Sequence, residues 1–226
     1  MIVHQWMPKA RCRYTCVNHS RKFNLDKSIK KLKVKDSGLI NLFNCHKINE
    51  LKPDEDYFKA LTRSIVYQQL SGYAAKSIFK RFKALFPADS FPTPEIILNV
   101  DIEKLRSSGL SYGKVNYVKN LAYAFMDEPN IYLNLNEMDD GDIIYHLTRV
   151  KGIGLWTAQM FLMFTLSRPD VFPATDLAMR KGYQSYFHLN ELPQPNVMLK
   201  RSEVWIPYRT TVSLYLWSVL EGPFAW

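Results

Sequence analysis

The sequence predicts an all-α protein of two helical lobes with a cleft between them. Past residue 50, apolar residues recur mostly at helical spacing. Strand-type alternation is scarce, and helix starts and stops are well marked. A Gly152-Ile153-Gly154 turn stands between two such stretches and reads as a hairpin of helices.

Taken in order, the Pro53-Asp54-Glu55-Asp56 run is an acidic helix start, followed by Tyr57, Phe58, Leu61, Ile65 and Val66 on one face. Ser71 caps a second helix with Ala75, Ile78, Phe79, Phe82 and Phe86. Residues 87–94 form a loop, and Asp101 opens a short helix that ends at Ser107-Ser108-Gly109. Val115, Val118, Leu121, Ala122 and Phe125 make the next stripe, and residues 128–136 are connecting. Asp140 or Asp142 caps a helix carrying Ile143, Ile144 and Leu147. After the glycines a helix runs from about Leu155 to Leu166, broken by Ser167-Arg168-Pro169-Asp170. Thr175 caps a helix with Leu177, Met179 and Tyr183, and the last helix starts at Pro207. The expected division is a basic arm and lead-in (1–50), a helical domain (51–222, hairpin at about 143–166) and a short tail (223–226).

The 226 residues are 47% apolar and 23% charged, enough for a sizeable core. No apolar run approaches the ~18 residues of a membrane span. Net charge is +9, of which +8 falls in residues 1–36. A basic arm on a near-neutral body suits a polyanion partner, or is a solvated tail. The N-terminus lacks the apolar core of a secretory signal, and its basic character leaves organelle targeting open. Cys12, Cys16 and Cys45 do not make a disulfide framework, and an intracellular, reduced protein is expected. Cys12, Cys16 and His19 are a weak zinc pattern without a second pair.

Two glycines in a helical stretch cost about 1 kcal/mol each against alanine. They therefore serve backbone shape. The first amides of the helix after such a turn point outward and carry partial positive charge, a ready site for a phosphate. The carbonyls of Thr148, Val150 and Ile153 are placed to share a monovalent cation. Such contacts grip a nucleic-acid backbone without reading sequence. Alone, Gly-x-Gly is equally a plain turn.

The stretch LTRVKGIGLWTAQMFLMFTLSRPDVFPATDLAMRKG (147–182), with YFKALTRSIVYQQLSGYAAKSIFKRF (57–82) and GLSYGKVNYVKNLA (109–122), resembles the helix-hairpin-helix base-excision DNA glycosylases. Within that family it looks most like the compact 3-methyladenine-DNA glycosylase II group, over about residues 50–222 and not over the basic arm. The resemblance implies that Asp176, twenty residues beyond Trp156, is the catalytic carboxylate. It implies Lys151, Gly152, Ile153, Gly154 and Thr157 as DNA contacts, with Arg180 and Lys181 near the phosphate track. Trp156 and Tyr208 are implied as pocket aromatics, with Tyr67 at the border. Leu70 is the apolar candidate for the wedge that fills the hole left by a flipped base, with Ser71 beside it.

A carboxylate stabilises the positive charge that builds on the sugar as an N-glycosidic bond breaks. An alkylated purine is already cationic and leaves without strong acid help. Relatives that also cut the strand carry a lysine where Trp156 stands, so the product is expected to be an abasic site. No cysteine follows Cys45, which excludes the C-terminal iron–sulfur cluster of some relatives. No cofactor is required beyond the hairpin cation. The expected partner is damaged double-stranded DNA, bound by a monomer. The competing readings are a glycosylase for a deaminated or oxidised base, a non-catalytic DNA-binding module, and a structural helical protein.

Overall fold

The structure, a computed structural model, describes residues 23–87 and 90–221. The Cys12, Cys16 and His19 set, most of the basic arm and the 223–226 tail lie outside the described residues. Among the described residues there is no strand. The helices are α1 (Leu25–Lys35), α2 (Ile40–Cys45), α3 (Tyr57–Tyr67), α4 (Gly72–Ala84), α5 (Pro94–Asn99), α6 (Ile102–Arg106), α7 (Tyr112–Asp127), α8 (Pro129–Tyr132), α9 (Asp140–Arg149), α10 (Leu155–Met160), α11 (Leu177–Tyr186), α12 (Pro195–Ser202) and α13 (Arg209–Glu221). No described helix is long and apolar enough to cross a membrane.

One lobe is built on α7, whose stripe Val115, Val118, Leu121, Ala122 and Phe125 is buried. Helices α3, α5 and α6 pack against it, with α4 on α3 and α9 against α10. Each fully buried side chain of this kind contributes about 1.5–3 kcal/mol. Two lysines of α7 reach the carbonyl ends of neighbouring helices. Lys114 Nζ donates to Val66 O and Gln68 O, and Lys119 Nζ to Leu98 O and Val100 O. A cation there complements the negative end of each helix.

The other lobe joins both ends of the described chain: α11 packs along α13, and α1 and α2 also contact α13. The sequence reading assigned residues 23–45 to the arm and its lead-in, yet they are helical. Leu32, Leu39 and Leu42 are fully buried. The lysine run hid a narrow stripe, capped by Asn24. Asp36 fastens this segment, accepting from Arg201 Nη2 at 2.6 Å and from buried Trp205 Nε1 at 2.8 Å.

Other expectations are also corrected. Asp139, not Asp140 or Asp142, occupies the cap of α9, and its two neighbours fall in the first turn. The last helix starts at Arg209; Pro207 precedes it in a cis peptide with Ile206. Residues 128–136 are not simply connecting, because α8 and a 3-10 turn bury Tyr132 and Leu135. The helix after the hairpin is not uniform: α10 widens into a π-turn over Phe161–Thr165, closed by Leu166 N donating to Phe161 O at 3.1 Å. The π-turn reaches both lobes. Phe161 meets Tyr57 of α3 edge-on, and Phe164 stacks on Trp217 of α13.

At Gly182 the backbones of α11 and α13 approach closely. A Cβ built on it would lie 2.0 Å from Leu216 O. Gly182→Ala is expected to cost roughly 1–3 kcal/mol by overpacking, measured by urea unfolding. Gly72→Ala, with nothing within 4 Å of its Cβ, serves as control. Equal stability of the two variants would show that the helices do not rely on this contact.

Candidate active site and nucleic-acid face

Asp176 is the N-cap of α11. Its backbone is extended (φ −68°, ψ 129°) and its Oδ1 accepts from Met179 N at 2.7 Å. The sequence reading gave this cap to Thr175; both residue types cap well, and the structure starts the helix one residue later. The same carboxylate takes two indole N–H groups. Trp156 Nε1 donates to Oδ2 at 2.9 Å, and Trp217 Nε1 donates to Oδ1 at 2.9 Å. The donors come from α10 and α13, so the carboxylate is held between the two lobes. Bonds to a charged acceptor are roughly twice as strong as neutral ones.

The hairpin divides its two glycines between inside and outside. Gly152 has φ +108°, and a Cβ on it would lie 2.2 Å from Tyr117 Cγ. Gly154 caps α10 with φ −96° and ψ 177°, a backbone open to any residue. Among the described residues, nothing beyond its chain neighbours lies within 4 Å of its Cβ position, and it is exposed. Ile153 is buried and donates its amide to Val150 O at 2.9 Å. Two side chains brace the turn from other helices. Gln68 Nε2 donates to Gly152 O at 3.0 Å and to Thr157 Oγ1 at 3.1 Å, and Asn120 Nδ2 donates to Lys151 O at 3.2 Å. Gln68, Lys114, Tyr117, Gly152, Gly154 and Trp156 line one groove of about 590 Å³.

Residues 62–208 match the family model of the HhH-GPD superfamily base excision DNA repair proteins. The chain belongs to this superfamily. It is 36% identical over 182 residues to DNA-3-methyladenine glycosylase 1 of Schizosaccharomyces pombe, covering 79% of each chain. Its fold is similar to the solved structure of the fission-yeast enzyme in complex with abasic DNA (TM-score 0.76, 34% identity, 85% of this chain and 95% of that one). It is likewise similar to a DNA-3-methyladenine glycosidase from Bacillus halodurans (TM-score 0.74, 31% identity, 89% and 93%).

Within this HhH-GPD fold the predicted site residues separate. Asp176 and Trp156 are brought together. Trp217 was missed by sequence reasoning; the only signal was a tryptophan in a helix with no clear polar face, whose buried N–H needs an acceptor. Trp156 was expected to offer a ring face to a base. It borders the groove and also gives its N–H edge to the carboxylate. Tyr208 is half-buried just before α13, where its amide donates to Trp205 O at 2.7 Å. Tyr67 ends α3, against Phe79 and the Arg63 guanidinium.

Thr157 lines the same groove, its side chain buried and its hydroxyl bonded to Gln68. Arg180 is half-buried, and its Nε donates to Pro193 O at 3.0 Å. Lys151 and Lys181 are exposed. Leu70 is 40% exposed, between Gln69 at φ +55° and Ser71, whose hydroxyl caps α4. Tyr73, in the first turn of α4, is 88% exposed and was overlooked. Burial pushes the Lys114 ammonium below the usual lysine range.

Asp170, the other carboxylate near this segment, is 6% exposed and paired with Arg209 through two bonds of 2.8 Å. The expected turn residue is therefore a structural ion pair. Removing one partner of a buried pair costs about 3–5 kcal/mol. Asp170→Asn is expected to lose stability on that scale in thermal or urea unfolding, whereas Asp176→Asn, half-buried, loses less. The reverse order would contradict the assignment of the two carboxylates.

Proposed function

We propose that the chain is a monofunctional DNA glycosylase. It flips alkylated purines such as 3-methyladenine or 7-methylguanine out of duplex DNA, cuts the N-glycosidic bond and leaves an abasic site. The observation that carries this reading is the Asp176 carboxylate held between Trp156 and Trp217 at the junction of the lobes. The named relatives, 3-methyladenine glycosylases, support the alkylated-base assignment.

As the base departs, positive charge builds on the sugar, and a fixed carboxylate beside it stabilises that charge without reorganising. The same group orients the water that traps the sugar. A cationic base needs no strong acid, which fits one carboxylate. Trp156 stands at the lyase position and offers no amine. The groove lysine, Lys114, has its ammonium on two backbone carbonyls.

The hairpin would seat a phosphate over Gly154 and the first amides of α10, with Lys151 beside it. The carbonyls of Thr148, Val150 and Ile153 suit an alkali cation in donor type. Val150 O keeps a lone pair beyond its bond to Ile153 N, so the site would bridge hairpin and phosphate. Leu70, exposed on its turn beside Ser71, is the wedge. The protein acts as a monomer on damaged double-stranded DNA, in whichever compartment holds that DNA.

Asp176→Asn is expected to abolish release of methylated bases while leaving duplex affinity nearly intact, read by chromatography of released bases and by fluorescence anisotropy. Retained activity would favour a DNA-binding module or another carboxylate. The product strand is expected to stay whole until heated in alkali. A borohydride-trapped enzyme–DNA adduct would contradict that.

Gly154→Val is expected to keep the protein's stability, since the Cβ meets open space. It should weaken binding to damaged and undamaged duplex alike by about ten- to a hundredfold, for the loss of one charge-assisted contact. Unchanged affinity in the folded variant would reduce the hairpin to a turn.

A further inference from the structure

We infer that Trp217 is a positioning residue for base release, and that it leaves Asp176 Oδ2 as the oxygen that meets the sugar. The inference rests on the reading of Asp176 as the catalytic carboxylate and says how that carboxylate is aimed.

A carboxylate has about four lone-pair sites, two on each oxygen. Oδ1 of Asp176 is filled, with Met179 N at 2.7 Å and the Trp217 indole at 2.9 Å. Oδ2 accepts from Trp156 at 2.9 Å and keeps a site open. A helix-capping aspartate held by one amide retains freedom about its Cβ–Cγ bond. The second and third donors, from separate helices, fix the carboxylate plane. The open site of Oδ2 then has one direction.

Trp217 is well placed to do this because it cannot move easily. It is 3% exposed, and its ring stacks on Phe164 with centroids 6.1 Å apart and planes 26° from parallel. Its neighbour Leu216 is in backbone contact range of Gly182, on the helix that Asp176 caps. The donor and the carboxylate therefore belong to one packed pair of helices. Catalytic groups held this way lose rate steeply on small displacements.

Trp217→Phe keeps an aromatic ring against Phe164 and removes the N–H together with the five-membered ring of the indole. The test is single-turnover base release from duplex carrying 7-methylguanine, with affinity for abasic duplex measured alongside and folding checked by circular dichroism. The expected result is a rate about tenfold or more below wild type with affinity within twofold. A wild-type rate in the folded variant overturns the inference, and so does an equal loss of rate and affinity.

A second measurement does not depend on that variant folding. In ¹⁵N spectra of the intact chain, the Trp217 indole N–H is expected downfield and to move on Asp176→Asn. A Trp217 indole signal indifferent to Asp176→Asn overturns the inference. If Asp176→Asn itself releases bases normally, the underlying reading of the carboxylate fails instead.

Discussion

The three-donor grip on Asp176 is the interaction on which the rest of the arrangement depends. One donor is the helix Asp176 itself begins, one comes from α10 in the hairpin lobe, and one from α13 in the other lobe. Each is held by packing elsewhere. The α11–α13 contact at Gly182 has no room for a side chain. The π-turn carries Phe164 onto Trp217 while Phe161 stays with α3. A short stretch of wide helix thus connects α3 of one lobe to the indole that donates to Asp176 in the other. Turns of this kind recur at functional sites.

The hairpin repeats that logic at the groove. Its inner glycine is dictated by the protein, through a positive φ and the Tyr117 ring. Among the described residues nothing meets a Cβ built on its outer glycine. A side chain missing where there is space for one suggests an approach from outside. Gln68 links this turn to the end of α3, next to the turn that presents Leu70. The hairpin and the turn that carries Leu70 therefore share one brace, and Lys114 closes the same helix end.

Much of this was legible in the sequence. The α7 stripe, the Ser71 cap and the hairpin follow from spacing and local chemistry, whereas Asp176 stood out only through the family resemblance. What escaped was nonlocal or degenerate. Trp217 lies 41 positions from its acceptor, and no periodicity links a buried indole to a distant carboxylate. Thr175 and Asp176 are adjacent, and both cap well. Thr157 reads as a surface group until Gln68 takes up its hydroxyl. The first helix was lost among its lysines, since only one apolar residue per turn was needed to seat it against α13. The reading of Asp170 changed for the same reason: its partner Arg209 is 39 residues away.

The most direct test of the central claim is a crystal structure of the chain on duplex DNA carrying a cationic pyrrolidine mimic of the departing sugar. The account predicts the ring nitrogen roughly 3–3.5 Å from Asp176 Oδ2, reacting distance, with both indole N–H groups still on the carboxylate. A pyrrolidine bound away from Asp176, or a carboxylate released by Trp156 and Trp217 when the mimic binds, would contradict it.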